Sequence, residues 1–439
     1  SKLLLLRGPI GGQVLAFAWM PREEFSTARR VAVGEMLVQA TGGRIVSWSV
    51  EVSDVNLALV RFTLDDLAVD GLPDVGPLDE QLERMLRGWP AAVEQALGEA
   101  SAPTHAARLA IGYAGAFPAS YRTQYGAAEA ARDIVTFDGL AGPESRATRL
   151  RRDSRDRDDQ LRLKTYRLGG ALALSEAVPV LENFGFVVAG EYPIPLDDGR
   201  IGTIQDFVLE PGSAAASGAV LGRAATVEGA IAAVLEGRAE NDSFNQLIVA
   251  ANLDPREIVL FRAWFRYLRQ TGMAYGMETV VAALRKAPAV ARGLIDLFFA
   301  RHDPSGGPDE AAATQAIDDG LAQVSAIDDD RILRRIRAVV LATLRTNAFA
   351  PAANEALAFK LDSAAIPGLP APRPWREIWI YSPRVEGIHL RGGPIARGGI
   401  RWSDRRDDFR TEILGLMKAQ VVKNAVIVPT GAKGGFYPK

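Results

Sequence analysis

Four candidate cations lie near the end of this sequence, and three of them stand close to glycine residues. Arg397 and Arg401 lie in "ARGGIRW", Lys433 lies in "TGAKGG", and Lys423 falls between these two segments. Glycine has no Cβ, so it lets the backbone approach a ligand closely. The pattern therefore predicts a pocket for a small anion. The spacing alone fits one alternative equally well, in which these side chains are ordinary exposed cations beside Gly-Gly turns.

The composition argues against several other kinds of site. The sequence holds no cysteine, which removes disulfides, Cys-ligated zinc, iron–sulfur clusters and thiol nucleophiles. Its three histidines, His105, His302 and His389, are far apart in sequence and supply a metal site or a catalytic triad poorly, so no metal is expected. "TGAKGG" has no Ser or Thr after its lysine, so it is not a P-loop, and no G-x-G-x-x-G follows a strand.

The overall charge points to no polyanionic partner. The formal net charge is -2 and the pI is about 6.1, so neither nucleic acid nor an anionic membrane is an expected partner. The most apolar stretch, "SGAVLGRAATVEGAIAAVLEG", is interrupted by Arg223 and Glu228. A membrane-spanning helix needs about 18 apolar residues, so none is expected. These features together predict a cytoplasmic protein.

A helix and three strands are predicted around the candidate cations. "DDFRTEILGLMKAQVVKN" predicts an amphipathic helix with Phe409, Ile413, Leu416 and Gln420 along one line. "EIWIYSP" and "VEGIHLR" predict strands before this helix, and "AVIVP" predicts a short buried strand after it. The last strand is expected to deliver the chain into a loop that carries Lys433.

The preceding sequence repeats one order of elements. Two stretches read β-α-β-β-α, the first opening with "QVLAFAW" and the second with "LRLKTYRL". This order is typical of ferredoxin-like folds. Between them "RATRLRRDSRDRDDQ" alternates charges and predicts a solvated linker, and "AAIPGLPAPRPWRE" marks a later boundary. The predicted domains of this α+β chain are a first unit over 1–140, a charged linker over 141–160, a second unit over 161–240, an all-α helical spacer over 241–352 and the start of an α/β domain over 353–439, for which the resemblance described next implies substrate binding.

Two blocks, "GPIARGGIRWSD" and "MKAQVVKNAVIVPTGAKGG", carry the most specific pattern in the chain. In type and order they resemble the substrate-binding half of glutamate dehydrogenases. Upstream blocks such as "RAENDSFNQLI" and "DDDRILRRIRAVVLATLRTN" resemble one branch of that family, the large NAD-specific enzymes. The resemblance covers 240–439 well and 1–240 more loosely, where it implies that the two ferredoxin-like units are ACT-like regulatory domains.

The resemblance implies roles for three residues that would act on the reacting end of the substrate. Lys433 corresponds to the catalytic lysine, which polarises the 2-oxo group of 2-oxoglutarate, or the iminium derived from it, and helps to activate a water. Gln420 and Lys423 correspond to residues that hold the α-carboxylate. Glutamate is a dicarboxylate, so a selective site needs a second, separate cation.

The same resemblance implies where that second cation lies. Arg397 stands where the smaller enzymes of the family have a lysine that contacts the side-chain carboxylate, and its guanidinium is longer and planar. Gly398 and Gly399 correspond to paired glycines that bring the backbone to the ligand. Arg401 corresponds to the arginine of that motif, for which a structural role is expected.

The implied reaction is the NAD-dependent oxidative deamination of L-glutamate to 2-oxoglutarate and ammonia. Small-molecule substrates, an amino-acid effector and a homo-oligomeric assembly are expected with it. In the family the catalytic aspartate and the nicotinamide-binding domain follow the lysine motif, so the chain alone is expected to be an inactive internal piece without a cofactor site. The alternative is a non-catalytic module for amino-acid sensing or oligomerisation.

Overall fold

The computed structural model of this chain describes residues 2–8, 12–53, 57–65, 72–86, 88–423 and 429–439. It divides into two compact units, one of residues 1–139 with 195–201 and the other of residues 140–194 with 202–439. The α+β architecture expected from the sequence is confirmed.

A four-stranded antiparallel sheet with two helices opens the first unit. Its strands follow the order β1-β2-β4-β3, and alternate residues of β2 are buried because one face of the sheet packs against the core. The strand β1 was not predicted and forms an antiparallel hairpin with β2. The elements are β1 (Lys2–Arg7), β2 (Val14–Pro21), α1 (Thr27–Thr41), β3 (Arg44–Val52), β4 (Leu57–Asp65) and α2 (Val75–Leu86).

A group of helices follows in the first unit, over the described residues 88–139. A new helix begins at Trp89–Pro90, where the missing N–H of the proline is tolerated. The predicted unit over 1–140 therefore comprises a sheet with two helices and then a separate helical group. That group consists of α3 (Trp89–Gly98), α4 (Pro103–Tyr113), α5 (Ala119–Gln124) and α6 (Ala127–Asp138).

The second unit begins with another four-stranded sheet, of order β5-β6-β8-β7. Its first strand lies inside the segment predicted to be a charged linker, so that prediction was wrong. The charges are satisfied by one another: Arg151 donates to Asp206 and Arg162 to Asp156. The elements are β5 (Ala147–Arg151), β6 (Leu161–Leu168), α7 (Leu174–Asn183), β7 (Val187–Leu196), β8 (Gly202–Glu210), α8 (Ala214–Gly222) and α9 (Ala224–Leu235).

Six helices follow in the segment that the sequence predicted to be helical. Asp254 caps the second of them through a capping box with Glu257, and a break before Pro288 separates two others. Phe261, Trp264 and Phe265 are buried in the core of this unit. The helices are α10 (Gln246–Ala250), α11 (Pro255–Gln270), α12 (Met277–Lys286), α13 (Pro288–His302), α14 (Glu310–Ala322) and α15 (Ile327–Ala342).

A six-stranded mixed sheet ends the chain, in the order β13-β14-β12-β11-β10-β9. Its neighbouring strands are antiparallel except for β13 and β14, which are parallel. The predicted "AVIVP" strand falls largely on 424–428, outside the described residues. The elements are β9 (Thr343–Thr346), β10 (Leu357–Leu361), β11 (Arg376–Tyr381), β12 (Val385–Arg391), β13 (Ala396–Trp402), α16 (Phe409–Lys423) and β14 (Thr430–Pro438).

Among the described residues, no single helix is long and apolar enough to cross a membrane. The helices over Ala216–Gly222 and Ala224–Leu235 pass such a test of length and composition only as a pair, and they are bent by 82°.

Candidate substrate-binding site

The two glycine-associated cation motifs lie side by side on the parallel strands β13 and β14. Arg397 is opposite Gly431, Gly399 is opposite Lys433, and Arg401 is opposite Gly435. Residues opposite each other point to the same face of a sheet, and every second residue along a strand does so. One face therefore carries Lys433 with Arg397, two residues back on the neighbouring strand. The predicted loops around these cations are strands instead.

Helix α16 covers the same face and rests on two glycines that flank Lys433. A Cβ at Gly435 would lie 2.5 Å from Ile413 Cδ1, and one at Gly431 would lie 2.8 Å from Gln420 Cβ. These distances are shorter than real Cβ contacts, so only glycine lets the helix approach this closely. Because Lys433 lies between the two glycines in sequence, its half-buried side chain begins beneath the helix that carries Gln420.

The two glycines of β13 have different surroundings. A Cβ at Gly399 would be in ordinary van der Waals contact with Lys433 Nζ, at 3.8 Å, which leaves the space beside the ammonium open. A Cβ at Gly398 would overlap the carbonyl oxygen of Ala432 on β14. Gly398 is thus required for strand-to-strand approach, whereas Gly399 faces the candidate pocket.

Register and packing bring most of the predicted site residues together. Arg397 is exposed opposite Gly431, and Gly431 packs on Gln420, so these residues surround one end of the Lys433 position. Lys423 is exposed and ends α16, one turn beyond Gln420. A lysine in the last turn also suits the helix dipole, so its role in binding stays a prediction.

Arg401 pairs with the covering helix. Its Nε lies 3.2 Å from Glu412 Oε1 on α16, and the Ser403 hydroxyl donates to the other oxygen of Glu412 at 2.6 Å. These contacts join β13 to the first half of α16. They favour the structural role expected for Arg401.

A buried ion pair, which sequence patterns did not reveal, lies beneath the start of α16. Glu377 of β11 and Arg410 of α16 are both 0% exposed, and the guanidinium bonds both carboxylate oxygens. Burial alone would lower the Arg410 pKa, but the Glu377 carboxylate outweighs it and the pKa is raised. The only sequence signal was an arginine in a helix's first turn, where the dipole disfavours a cation.

A histidine lies on the other face of β14. Gly434 is opposite His389 of β12, and a Cβ at Gly434 would lie 3.2 Å from the imidazole Cδ2. Burial, helped by the charge of Arg391, lowers the His389 pKa below its usual value. His389 is therefore separated from Lys433 by the sheet itself. Within the described ranges, no cluster of three or more His, Asp or Glu side chains is placed to hold a metal ion.

Five family models match successive parts of the chain. They are described as glutamate dehydrogenase ACT2 domain (residues 2–90), helical motif 2 (92–140), ACT3 domain (145–219), helical motif 3 (239–304) and bacterial NAD-glutamate dehydrogenase catalytic domain (316–439). The chain belongs to the bacterial NAD-glutamate dehydrogenase family. These boundaries separate an ACT domain from a helical motif within 1–140, where the sequence predicted one domain.

Curated relatives named NAD-specific glutamate dehydrogenase match almost the whole chain. The protein of Halomonas elongata is 37% identical over 447 residues, covering 100% of the chain. Those of Mycobacterium tuberculosis and Pseudomonas aeruginosa are 39% and 36% identical, covering 97% and 100%. The chain spans about 28% of the length of each relative.

Proposed function

We propose that this chain forms the substrate-binding side of an NAD-dependent glutamate dehydrogenase, which converts L-glutamate, NAD and water to 2-oxoglutarate, ammonia and NADH. The observation that carries the proposal is the position of Lys433, beside the open Gly399 and beneath a helix that rests on Gly431 and Gly435. This arrangement presents an ammonium to a small ligand from a fixed sheet.

The two ends of the substrate would be held by different elements. Arg397 of β13 would pair with the side-chain carboxylate, while Gln420 and Lys423 of α16 would hold the α-carboxylate. Charge-assisted hydrogen bonds of this kind give both energy and orientation. A 2-oxo group held between them would lie against Lys433.

Lys433 would then act at the carbon that changes oxidation state. Its ammonium would donate a hydrogen bond to the 2-oxo oxygen, which draws electron density from the carbonyl carbon and prepares it for attack by ammonia. Attack by ammonia belongs to the formation of glutamate. In the deamination of glutamate, the same ammonium would orient the water that hydrolyses the iminium. When bound, NAD would supply the hydride acceptor for this reaction. The described residues include no strand, glycine-rich turn and helix of the kind that binds a dinucleotide.

Calorimetry with 2-oxoglutarate tests the proposal on the 439-residue chain. Lys433→Ala and Arg397→Ala should each weaken binding about tenfold or more, because each removes a charge-assisted bond. Lys418→Ala, an exposed lysine of α16, and Arg345→Ala, an exposed arginine of β9, are the matched controls and should bind as the wild type does. Absence of binding by the wild type, or equal binding by all five proteins, would overturn the proposal.

A non-catalytic role in assembly or amino-acid sensing is the second candidate. Strand β3 lies at the edge of its sheet, and Val46, Trp48 and Val52 are 49%, 47% and 50% exposed. An exposed apolar edge without lysine or proline is open to pairing with another strand. We also propose that the protein assembles as a homo-oligomer and that it is located in the cytoplasm.

Light scattering tests assembly through β3. Val50→Lys on β3 should reduce the measured mass if this edge pairs copies of the chain, and Val135→Lys on α6, also exposed, is the control. Amino-acid binding that survives Lys433→Ala in calorimetry would indicate an effector site separate from the substrate site.

A further inference from the structure

One face of α11, a helix of the segment matched by helical motif 3, is in contact with the start of α16. Four residues at helical spacing form this face, namely Ala263, Arg266, Tyr267 and Gln270. The Ala263 carbonyl accepts a hydrogen bond from Trp379 Nε1 at 2.9 Å. The other three residues use polar side chains, although they are largely or fully buried.

Gln270 bonds the backbone on both sides of the helix start. Its carboxamide oxygen accepts from the Arg410 N–H at 3.1 Å, and its nitrogen donates to the Arg406 carbonyl at 2.8 Å. The first N–H groups of a helix have no partner within the helix. Gln270 therefore caps α16 from a different element, 140 residues away in sequence.

Arg410 is fixed from a second direction. Glu377 of β11 bonds its guanidinium and also accepts a hydrogen bond from Tyr267 at 3.1 Å. A buried ion pair is weak evidence for stability by itself, because desolvation offsets much of the attraction. The two-point contact nevertheless orients the guanidinium and the carboxylate relative to each other. We term this cluster of four residues the α11–α16 clamp: Tyr267, Gln270, Glu377 and Arg410.

Arg266 holds the segment that leads into α16. Its guanidinium pairs with the buried Glu386 of β12 at 2.7 Å and with Asp407 at 3.0 Å. The segment before the helix is thus joined to the sheet through α11. At the other end of α16, Lys423 is exposed.

The position of α16 along β14 decides which side chain faces Lys433. Ile413 lies over Gly435 and Gln420 over Gly431, so a helix that slid or turned would take Gln420 from its place. The helix advances about 1.5 Å per residue, and the two glycine contacts are seven helical residues apart. A shift at the clamp is therefore carried along the helix to Gln420 and Lys423.

We propose that the α11–α16 clamp consists of positioning residues for substrate binding, which set Gln420 and Lys423 against the α-carboxylate. This inference rests on the proposed function. It gives the helical motif a part in forming the substrate site, without contact between its residues and the ligand.

The test is a double-mutant cycle measured by calorimetry with 2-oxoglutarate. Gln270→Leu should weaken binding about tenfold, the size expected for displacing one charge-assisted contact. In the Lys423→Ala background the same substitution should have a smaller further effect, limited to the contact of Gln420, whereas with Arg397→Ala its full effect should remain. Equal additive losses in both backgrounds would overturn the inference, because they indicate general destabilisation.

Gln205→Leu is the matched control for a buried glutamine. Gln205 and Gln270 are both 3% exposed, and Gln205 also bonds a backbone N–H and a carbonyl, those of Leu172. It lies in the ACT3 segment and should leave 2-oxoglutarate affinity unchanged. Tyr267→Phe is a milder clamp variant, which removes only the hydroxyl and serves if Gln270→Leu does not fold.

Amide hydrogen exchange of 409–423 provides a readout that needs no ligand. Gln270→Leu should speed exchange in α16 and Gln205→Leu should not. Unchanged exchange in the clamp variants would overturn the inference. If the wild type bound no 2-oxoglutarate, the proposed function would fail, and the exchange rates alone would decide whether the clamp fixes α16.

Discussion

Gly399 and Lys433 occupy opposite positions on two parallel strands, with the Lys433 ammonium 3.8 Å from the point where a Cβ of Gly399 would stand. The neighbouring Gly398 has no such space, since its Cβ would overlap the Ala432 carbonyl. Adjacent glycines of one motif thus serve different purposes. One leaves room beside a functional cation and the other allows two strands to meet.

Alanine at these two positions should separate the purposes. Gly398→Ala is expected to lower the free energy of unfolding by about 1–3 kcal/mol, because the strands must move apart. Gly399→Ala should change it by about 0.5 kcal/mol or less, while Gly399→Leu should abolish 2-oxoglutarate binding by filling the space beside Lys433. Urea unfolding and calorimetry on the three variants provide the measurements. Equal destabilisation by both alanines would contradict the assignment.

Gly431→Ala should affect both stability and binding. Its Cβ would press against Gln420 Cβ and the Val421 backbone, both under 3.0 Å away, so α16 must shift. We expect a loss of about 1–3 kcal/mol in the free energy of unfolding and weaker 2-oxoglutarate binding.

Gly415→Ala is the control for that substitution, since a Cβ there meets no described atom within 4 Å. Alanine in a helix interior should stabilise it by about 0.5–1 kcal/mol. A Gly431→Ala protein as stable as the wild type would show that the helix does not rest on this glycine.

Glu377→Gln should be among the most destabilising single changes in this part of the chain. It keeps the size of the side chain but leaves the buried Arg410 without its counter-charge, at a cost of about 3–5 kcal/mol. Asp330→Asn, which breaks an exposed pair with Arg334, should cost about 0.5 kcal/mol. Denaturant unfolding compares the two, and similar small losses would show that the buried pair contributes no more than an exposed one.

The pH dependence of stability should include a contribution from His389. Its pKa is lowered in the fold, so below the unfolded value of about 6.5 the unfolded chain binds a proton that the folded chain does not. The stability that the neutral His389 imidazole contributes is fully present above a pH of about 6.5, the unfolded pKa. It is lost as the pH falls toward the folded pKa. His389→Gln should therefore flatten the decline in unfolding free energy between pH 7.5 and pH 5, as measured by urea unfolding. A variant with the same slope as the wild type would refute this assignment.

The local elements were readable from the sequence because their causes are local. The Asp254 cap, the break at Pro90 and the helix that carries Gln420 each follow from residues a few positions apart. The same reasoning failed at 141–160, where alternating charges suggested a solvated linker. Those charges pair with one another and with Asp206, 55 residues from Arg151, which no local pattern reveals.

The sequence by itself determined the types and order of elements, the set of candidate cations and their association with glycine. Only the tertiary structure decided what each glycine does, since that depends on which backbone or helix lies opposite it. It also decided the pairing of Glu377 with Arg410 and the cap that Gln270 provides. Helix and strand signals act over a few residues, whereas these contacts join segments 33 and 140 residues apart, and they exist only once the sheet and helices have packed.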